Sequence, residues 1–220
     1  MTAAGTRPVG KLTVVGSQYF DVEPTTPMQT RTVPLTVDGR QLELTSGSGV
    51  FGWQRIDLGT EILIRYAPRP PATGAILDLG CGYGPITVAT ALRAPDARIV
   101  SVDVNRRALE LTRGNAARLG LGNVTAYEPD DVPADLSFAA IYSNPPIKVG
   151  KESLHDLLAR WLPRMRPGAR AYLVVKRSMG SDTLDDWLTA SGWPAERLRS
   201  KSGYRILEVS AGPGGSGGED

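Results

Sequence analysis

The chain has 220 residues, 41% hydrophobic, 22% charged and 6% aromatic, which excludes disorder along its whole length and fits one domain with an embellishment or a short added module. With 25 basic and 23 acidic side chains the net charge is +2, too small to steer the whole molecule to nucleic acid, so contact with RNA or DNA must use a local patch. One cysteine, Cys81, and one histidine, His155, exclude an intramolecular disulfide and a Cys/His metal cluster, and no metal is expected. Lacking a long apolar run, the sequence is expected to be a soluble, cytoplasmic protein without a membrane span or signal peptide.

Residues 1–11 are small and polar and are expected to form a flexible N-terminus, and 212–220, Gly-rich and acidic, a disordered tail. Residues 12–70 read as an N-terminal extension of short strands plus a helix packing on the core: LTVV at 12–15, TVPLTV at 32–37 and QLEL at 41–44, with Asp38-Gly39 as a hairpin turn. Phe51 and Trp53 read as core. Asp57 is a candidate N-cap for a helix with Leu58, Ile62, Leu63 and Tyr66 on one face, and PRPPATG at 68–74 ends it.

From residue 71 to 211 strands and helices alternate. AILDL at 75–79 is a strand, and Pro85 opens a helix to about Ala94. RIVSVD at 98–103 precedes a helix over 105–119 with an apolar stripe of Ala108, Leu111, Thr112, Ala116 and Leu119. NVTAY at 123–127 and SFAAIYS at 137–143 are strands. Leu154, Leu157, Leu158, Trp161 and Leu162 line one helix face, which leaves His155 exposed. AYLVVK at 171–176, a helix marked by Leu184, Trp187 and Leu188, and YRILEVS at 204–210 complete a parallel-rich sheet covered on both faces.

The segment DLGCGYGPIT, 78–87, places Gly80, Gly82 and Gly84 after a strand and before a helix, where a Gly-rich turn lets backbone approach a nucleotide-like ligand. Asp103 ends the next strand about 20 residues on, where a carboxylate accepts from ribose hydroxyls or caps the following helix. Cys81 reads as a small buried loop residue, since no histidine in the loop activates it. The fourth strand ends in SNPPIKVGK, 143–151. Two prolines stiffen its backbone, so that the Asn144 side chain and the Pro145 carbonyl form paired acceptors suited to an NH2 group; the plainer alternative is a proline-stiffened turn.

The GxGxG-Pro loop preceded by Asp78 resembles the first motif of class I S-adenosylmethionine-dependent methyltransferases. That resemblance implies a Rossmann-like, doubly wound α/β fold with a seven-stranded mixed sheet and a short β-rich N-terminal extension. It also implies S-adenosylmethionine as cofactor and S-adenosylhomocysteine as product. Asp78 would lie near the ammonium group, with Gly80, Cys81, Gly82 and Gly84 against the methionine part and Asp103 with Val104 at the ribose. Asp130 and Asp131 would serve the adenine amino group, or are solvated turn residues.

Asn144-Pro145-Pro146 resembles the signature of methyltransferases acting on amide or exocyclic amino nitrogen, in which the two acceptors orient the nitrogen for in-line attack without a strong general base. Most of these carry an aromatic residue next; here it is Ile147, leaving Phe20, Phe51 or Trp53 to supply a stacking face. QYFDVEPTTP (18–27), SGVFGWQRIDLGTEILI (48–64), VVKRSMGSDTL and SGYRILEVS are similar to segments of the single-domain bacterial members of the small-subunit ribosomal RNA guanine-N2 methyltransferases. The similarity implies that Asp57, Gly59 and Thr60 form part of the cofactor wall, that the partner is ribosomal RNA or the small ribosomal subunit, and that the target base is unstacked. Lys148 and Lys151 flank the turn, and residues 160–209 hold 10 basic against 5 acidic side chains, a face for phosphates or simply a solvated one. The same acceptor pair also fits a protein glutamine-N5 methyltransferase, a small-molecule methyltransferase, or a cofactor-binding RNA assembly factor without turnover.

Overall fold

The computed structural model describes residues 27–212. The strand expected at 12–15, Phe20, the N-terminal 1–11 and residues 213–220 lie outside the described residues.

Strands β1 (Thr30–Val37) and β2 (Arg40–Gly47) form a separate two-stranded antiparallel sheet. Asp38 and Gly39 both take positive φ, 49° and 82°, the twist that a two-residue hairpin needs. Alternation along the hairpin buries Val33, Leu35, Val37 and Leu44 in one apolar cluster with the first helices of the main layer. Helix α1 (Leu58–Tyr66) follows, with Asp57 as its N-cap.

The main layer contains β3 (Ala75–Leu79), α2 (Pro85–Arg93), β4 (Arg98–Val102), α3 (Arg106–Arg118), β5 (Val124–Tyr127) and β6 (Phe138–Ser143). It continues with α4 (Lys151–Trp161), β7 (Met165–Lys176), α5 (Ser181–Ala190), β8 (Ala195–Lys201) and β9 (Tyr204–Ser210). The sheet order is β5-β4-β3-β6-β7-β9-β8; the first five strands pair in parallel, and β9 runs antiparallel to β7 and β8. Successive side chains of each central strand enter opposite cores. Ile76, Ile99, Tyr142, Val174 and Ile206 join α1–α3 and the hairpin; Leu77, Val100, Ile141, Leu173 and Leu207 join α4 and α5. The chain leaves β3 toward β4 on one side and later returns to place β6 on the other, which opens a crevice at their carboxyl ends.

Several local expectations are corrected. Leu58 does not share the buried face of α1: it is 44% exposed, because the helix meets its neighbours only from Gly59 onward. Strand β7 begins at Met165, six residues before the apolar run, since Pro167 and the positive-φ Gly168 interrupt the pattern there. Strand β8, AERLRSK, has no sequence signature, because as the outer strand it exposes nearly every side chain and needs no apolar face. His155 is half-buried rather than exposed, stacked on Trp187 of α5 with ring centroids 3.9 Å apart.

Candidate active site

The crevice is a cavity of about 510 Å³. Its floor is the turn between β3 and α2. Gly80 and Cys81 donate their N–H groups to the Val102 carbonyl at 2.8 and 3.0 Å, Gly82 N–H donates to Asp103 Oδ2 at 2.9 Å, and the Thr112 hydroxyl donates to the Gly82 carbonyl at 2.9 Å. The loop is thereby clamped to β4 and α3. At Gly80, φ is 76° and a Cβ would meet nothing within 4 Å, so the residue leaves open floor; at Gly84, φ is 92° and a Cβ would stand 3.0 Å from Thr112 Oγ1. Gly84 therefore serves loop packing and does not line the cavity.

Asp103 lies on the wall and does not cap α3; that task falls to Asn105, whose side chain accepts from Arg107 and Ala108 N–H. Asp103 Oδ1 accepts from Asn105 N–H at 2.9 Å, so both oxygens hold backbone while keeping further lone pairs. Burial pushes its carboxyl above the usual range. Val104 beside it also lines the wall. Asp78 is fully buried under the loop and is absent from the wall: its Oδ2 accepts from the Thr87 hydroxyl at 2.6 Å, and its Oδ1 has no partner. Desolvation raises its pKa to about 7. Cys81 lines the cavity as a buried thiol, pushed well up by burial and by the charges of Asp103 and Asp78, as befits a packing residue.

At the opposite wall stands Asn144. Its Nδ2 donates to Asp57 Oδ2 at 2.9 Å and to Thr60 Oγ1 at 3.0 Å. A carboxylate only accepts, so the amide orientation is fixed and Oδ1 is left as the outward acceptor. The same Asp57 Oδ2 accepts from Gly59 N–H at 2.8 Å and Thr60 N–H at 3.4 Å, so one oxygen starts α1 and pins Asn144. The Pro145 carbonyl already accepts from Ile147 N–H at 2.9 Å, which occupies one of its two lone pairs. Pro146 and Ile147 complete this wall. Gly59 stays off it; a Cβ there would meet the Tyr204 ring at 2.9 Å, so it is the seat of that ring.

The structure thus brings Asp57, Thr60, Gly80, Cys81, Gly82, Asp103, Val104, Asn144, Pro145, Pro146 and Ile147 around one cavity. It does not bring Asp130 or Asp131 there. The Asp130 side chain is 91% exposed and paired with Arg160 at 2.8 Å, Asp131 is exposed in the same turn, and Pro129 takes the wall position. Phe51 lines the mouth and is exposed rather than core, being on the loop between β2 and α1, which Asn105 Nδ2 holds through the Gly49 carbonyl at 2.7 Å. Trp53 is off the wall, with Arg31 over its ring. Leu157, Trp161, Lys176 and Tyr204 line the cavity without having been singled out for it. For Tyr204 a signal existed: an antiparallel last strand begins at the carboxyl end of its parallel neighbours.

The floor left open at Gly80 and the buried Trp161 indole N–H on the wall, without an acceptor, fit a ligand with a polar group beside a flat ring, and the unpartnered Asp78 Oδ1 lies buried beneath that floor. Among the described residues no helix is long and apolar enough to cross a membrane.

Comparison with known proteins agrees with this geometry. The family model described as "Methyltransferase small domain" matches residues 41–208. An uncharacterized protein, YbxB, of Bacillus subtilis is 30% identical over 198 residues, covering 89% of this chain and 98% of its own. Ribosomal RNA small subunit methyltransferase C of Pseudomonas aeruginosa is 33% identical over 187 residues, 82% of this chain and 54% of that one. The chain thus spans about half the length of the curated ribosomal RNA methyltransferases it matches. Among solved structures, the T. thermophilus 16S rRNA N2 G1207 methyltransferase (RsmC) in complex with AdoMet and guanosine superposes with a TM-score of 0.66 at 19% identity, covering 86% of this chain and 52% of that one. A family match over most of the chain, on a class I methyltransferase fold, establishes that the chain belongs to the methyltransferase small-domain family.

Proposed function

We propose that this chain transfers a methyl group from S-adenosylmethionine to the exocyclic N2 of a guanine in small-subunit ribosomal RNA, in the cytoplasm. The observation that carries the reading is the Asn144 carboxamide, whose NH2 is held by Asp57 and Thr60 so that its oxygen is a fixed acceptor on the cavity wall. When bound, the cofactor supplies an electrophilic sulfonium methyl. Gly80, Cys81 and Gly82 would underlie its methionine part, with Gly84 shaping the turn and Asp78 as the buried counter-charge for the ammonium. Asp103 and Val104 would hold the ribose. Pro129, Leu157 and Trp161 would enclose the adenine in place of Asp130 and Asp131.

Asn144 Oδ1 and the free lone pair of the Pro145 carbonyl accept from the two N–H bonds of the target amine. Both acceptors then fix the nitrogen lone pair along the line of displacement, and orientation supplies much of the rate. The nitrogen becomes transiently cationic as it gains the methyl group, which two oxygen dipoles stabilise, and one of its protons then passes to water to leave the neutral methylamine. The names of the curated relatives and of the guanosine-bound neighbour support the choice of guanine N2 and of ribosomal RNA.

The test is methyl transfer from labelled S-adenosylmethionine to unmodified small subunits, free ribosomal RNA and a release factor, read by nucleoside and peptide mass spectrometry. N2-methylguanosine that disappears with Asn144→Ala, while the cofactor still binds, is the expected result. Methylglutamine, or no product with any of the three, would overturn it.

A further inference from the structure

Of the ten basic residues of 160–209, four are ion-paired, and six (Arg164, Arg166, Lys176, Arg177, Arg199 and Lys201) have no carboxylate within ion-pair distance among the described residues. Arg160 is paired with Asp130, Arg170 with Glu208, and Arg197 and Arg205 with Asp182. The two lysines, Lys176 and Lys201, are neighbours of a single residue. Register pairs Lys176 of β7 with Tyr204 of β9, and Tyr204 in turn with Lys201 of β8. Directly paired residues project from the same side of a sheet, so the three side chains form one row, lysine–tyrosine–lysine, about 10 Å across at the backbone.

This row is rigidly built. Ser202 and Gly203, with φ of 48° and 81°, make the two-residue turn that sets Lys201 opposite Tyr204, and Arg177 N–H donates to the Gly203 carbonyl at 2.8 Å, tying that turn to β7. The Tyr204 ring rests on the bare backbone of Gly59 and lines the same cavity as Asn144; Lys176 lines it too. The next residue, Arg205, faces the other way and is buried against Ser181 and Asp182, so it takes no part in the row.

We infer that the Lys176–Tyr204–Lys201 row is a grip for single-stranded RNA at the cavity mouth: Tyr204 supplies a stacking face for an unpaired base, and the two lysines meet the phosphates on either side of it. A pre-set aromatic between two exposed cations suits unstacked nucleotides, which present a flat base flanked by charge, and suits a duplex poorly because its bases are not open to the ring. The row also provides the aromatic face that Ile147 does not. The inference rests on the proposed activity toward RNA only in naming RNA as the occupant.

The test is binding of a fluorescein-labelled 12-nucleotide single-stranded RNA, followed by anisotropy at several salt concentrations, for the full chain and for the variants Lys176→Gln/Lys201→Gln, Tyr204→Leu and Tyr204→Phe. Far-ultraviolet circular dichroism and cooperative unfolding establish that each variant is folded. Loss of two phosphate contacts makes the slope of log K against log salt shallower by about 1.4, at about 0.7 per lysine. Tyr204→Leu is expected to weaken binding roughly 10-fold, with Tyr204→Phe close to the parent. A double lysine variant with unchanged slope and affinity, while the parent binds and methylates RNA, overturns the grip and leaves the proposed activity standing. RNA binding with the expected slope change but no N2-methylguanine on any RNA sinks the activity and keeps the grip. A parent chain that does not bind the single-stranded RNA overturns the grip, and methyl transfer to small subunits then decides the activity separately.

Discussion

Replacing Asp57 separates two jobs that one carboxylate oxygen performs. Oδ2 accepts from the N–H groups of Gly59 and Thr60 to start α1, and from Asn144 Nδ2 to hold the candidate catalytic amide. Serine caps a helix as well as aspartate does, yet its shorter side chain cannot also reach Asn144. Both Asp57→Ser and Asp57→Ala lose the bond to Asn144, but the serine keeps the cap, so Asp57→Ser should remain about 1 kcal/mol more stable than Asp57→Ala. A hydrogen bond to a charged acceptor contributes about 1.5–3 kcal/mol. Thr60 Oγ1, 3.0 Å from the same nitrogen, still restrains the amide, so the lower end applies and turnover should fall about 10-fold. Denaturant unfolding measures the first quantity and single-turnover methyl transfer the second. Parent-like turnover by Asp57→Ser, or a stability loss equal to that of Asp57→Ala, would refute the double role.

Three further outcomes follow from the loop and its supports. Asp78 titrates near pH 7 in the fold against 3.8 in the open chain, so the folded state holds the extra proton between those values. Stability of the ligand-free protein should thus be greatest below about pH 4 with respect to this group and decline by up to roughly 4 kcal/mol as pH rises through 7, while Asp78→Asn, never charged, lacks that decline; parallel pH–stability curves for the two proteins would contradict this. Gly84→Ala should destabilise by about 1–3 kcal/mol, from its φ of 92° and the approach to Thr112, whereas Gly80→Ala should cost less stability and weaken S-adenosylmethionine binding in calorimetry by filling the floor. Asn115, which donates to the Thr45 and Tyr83 carbonyls and accepts from Thr45 N–H, should cost about 2–3 kcal/mol as Asn115→Ala, since one buried and two part-buried backbone groups lose their partner; denaturant midpoints will tell.

The main layer was readable because its strands are buried on both faces and its helices carry one apolar stripe, so period alone marks AILDL, RIVSV and the α4 face. The floor of the site was readable for a related reason: glycines between a strand and a helix, and an aspartate ending the next strand, announce themselves in one dimension. What escaped is what only three dimensions decide. Leu157 and Trp161 carry the pattern of core residues and are core residues; nothing local says that their helix also walls a cavity. Asp130 and Asp131 had the right chemistry at the right strand end, but Arg160, a full helix away in sequence, draws Asp130 outward. The bond between Asp57 and Asn144 joins residues 87 apart, and each had a sufficient local explanation without the other. Strand β8 escaped for the opposite reason, having no buried face to leave a pattern.

That outer strand has a further consequence. An edge with unpaired backbone groups is a template on which a second chain can add, and β8 is seven residues long at the open end of the sheet. It carries Arg197, Arg199 and Lys201, and its register with β9 slips between Arg197 and Arg199, so the edge is both positively charged and irregular. A second copy pairing there would set cations against cations along an uneven ladder. The basic edge is therefore a guard against self-association, and variants that neutralise it should be checked by sedimentation at several concentrations, with the expectation that they associate more readily than the parent.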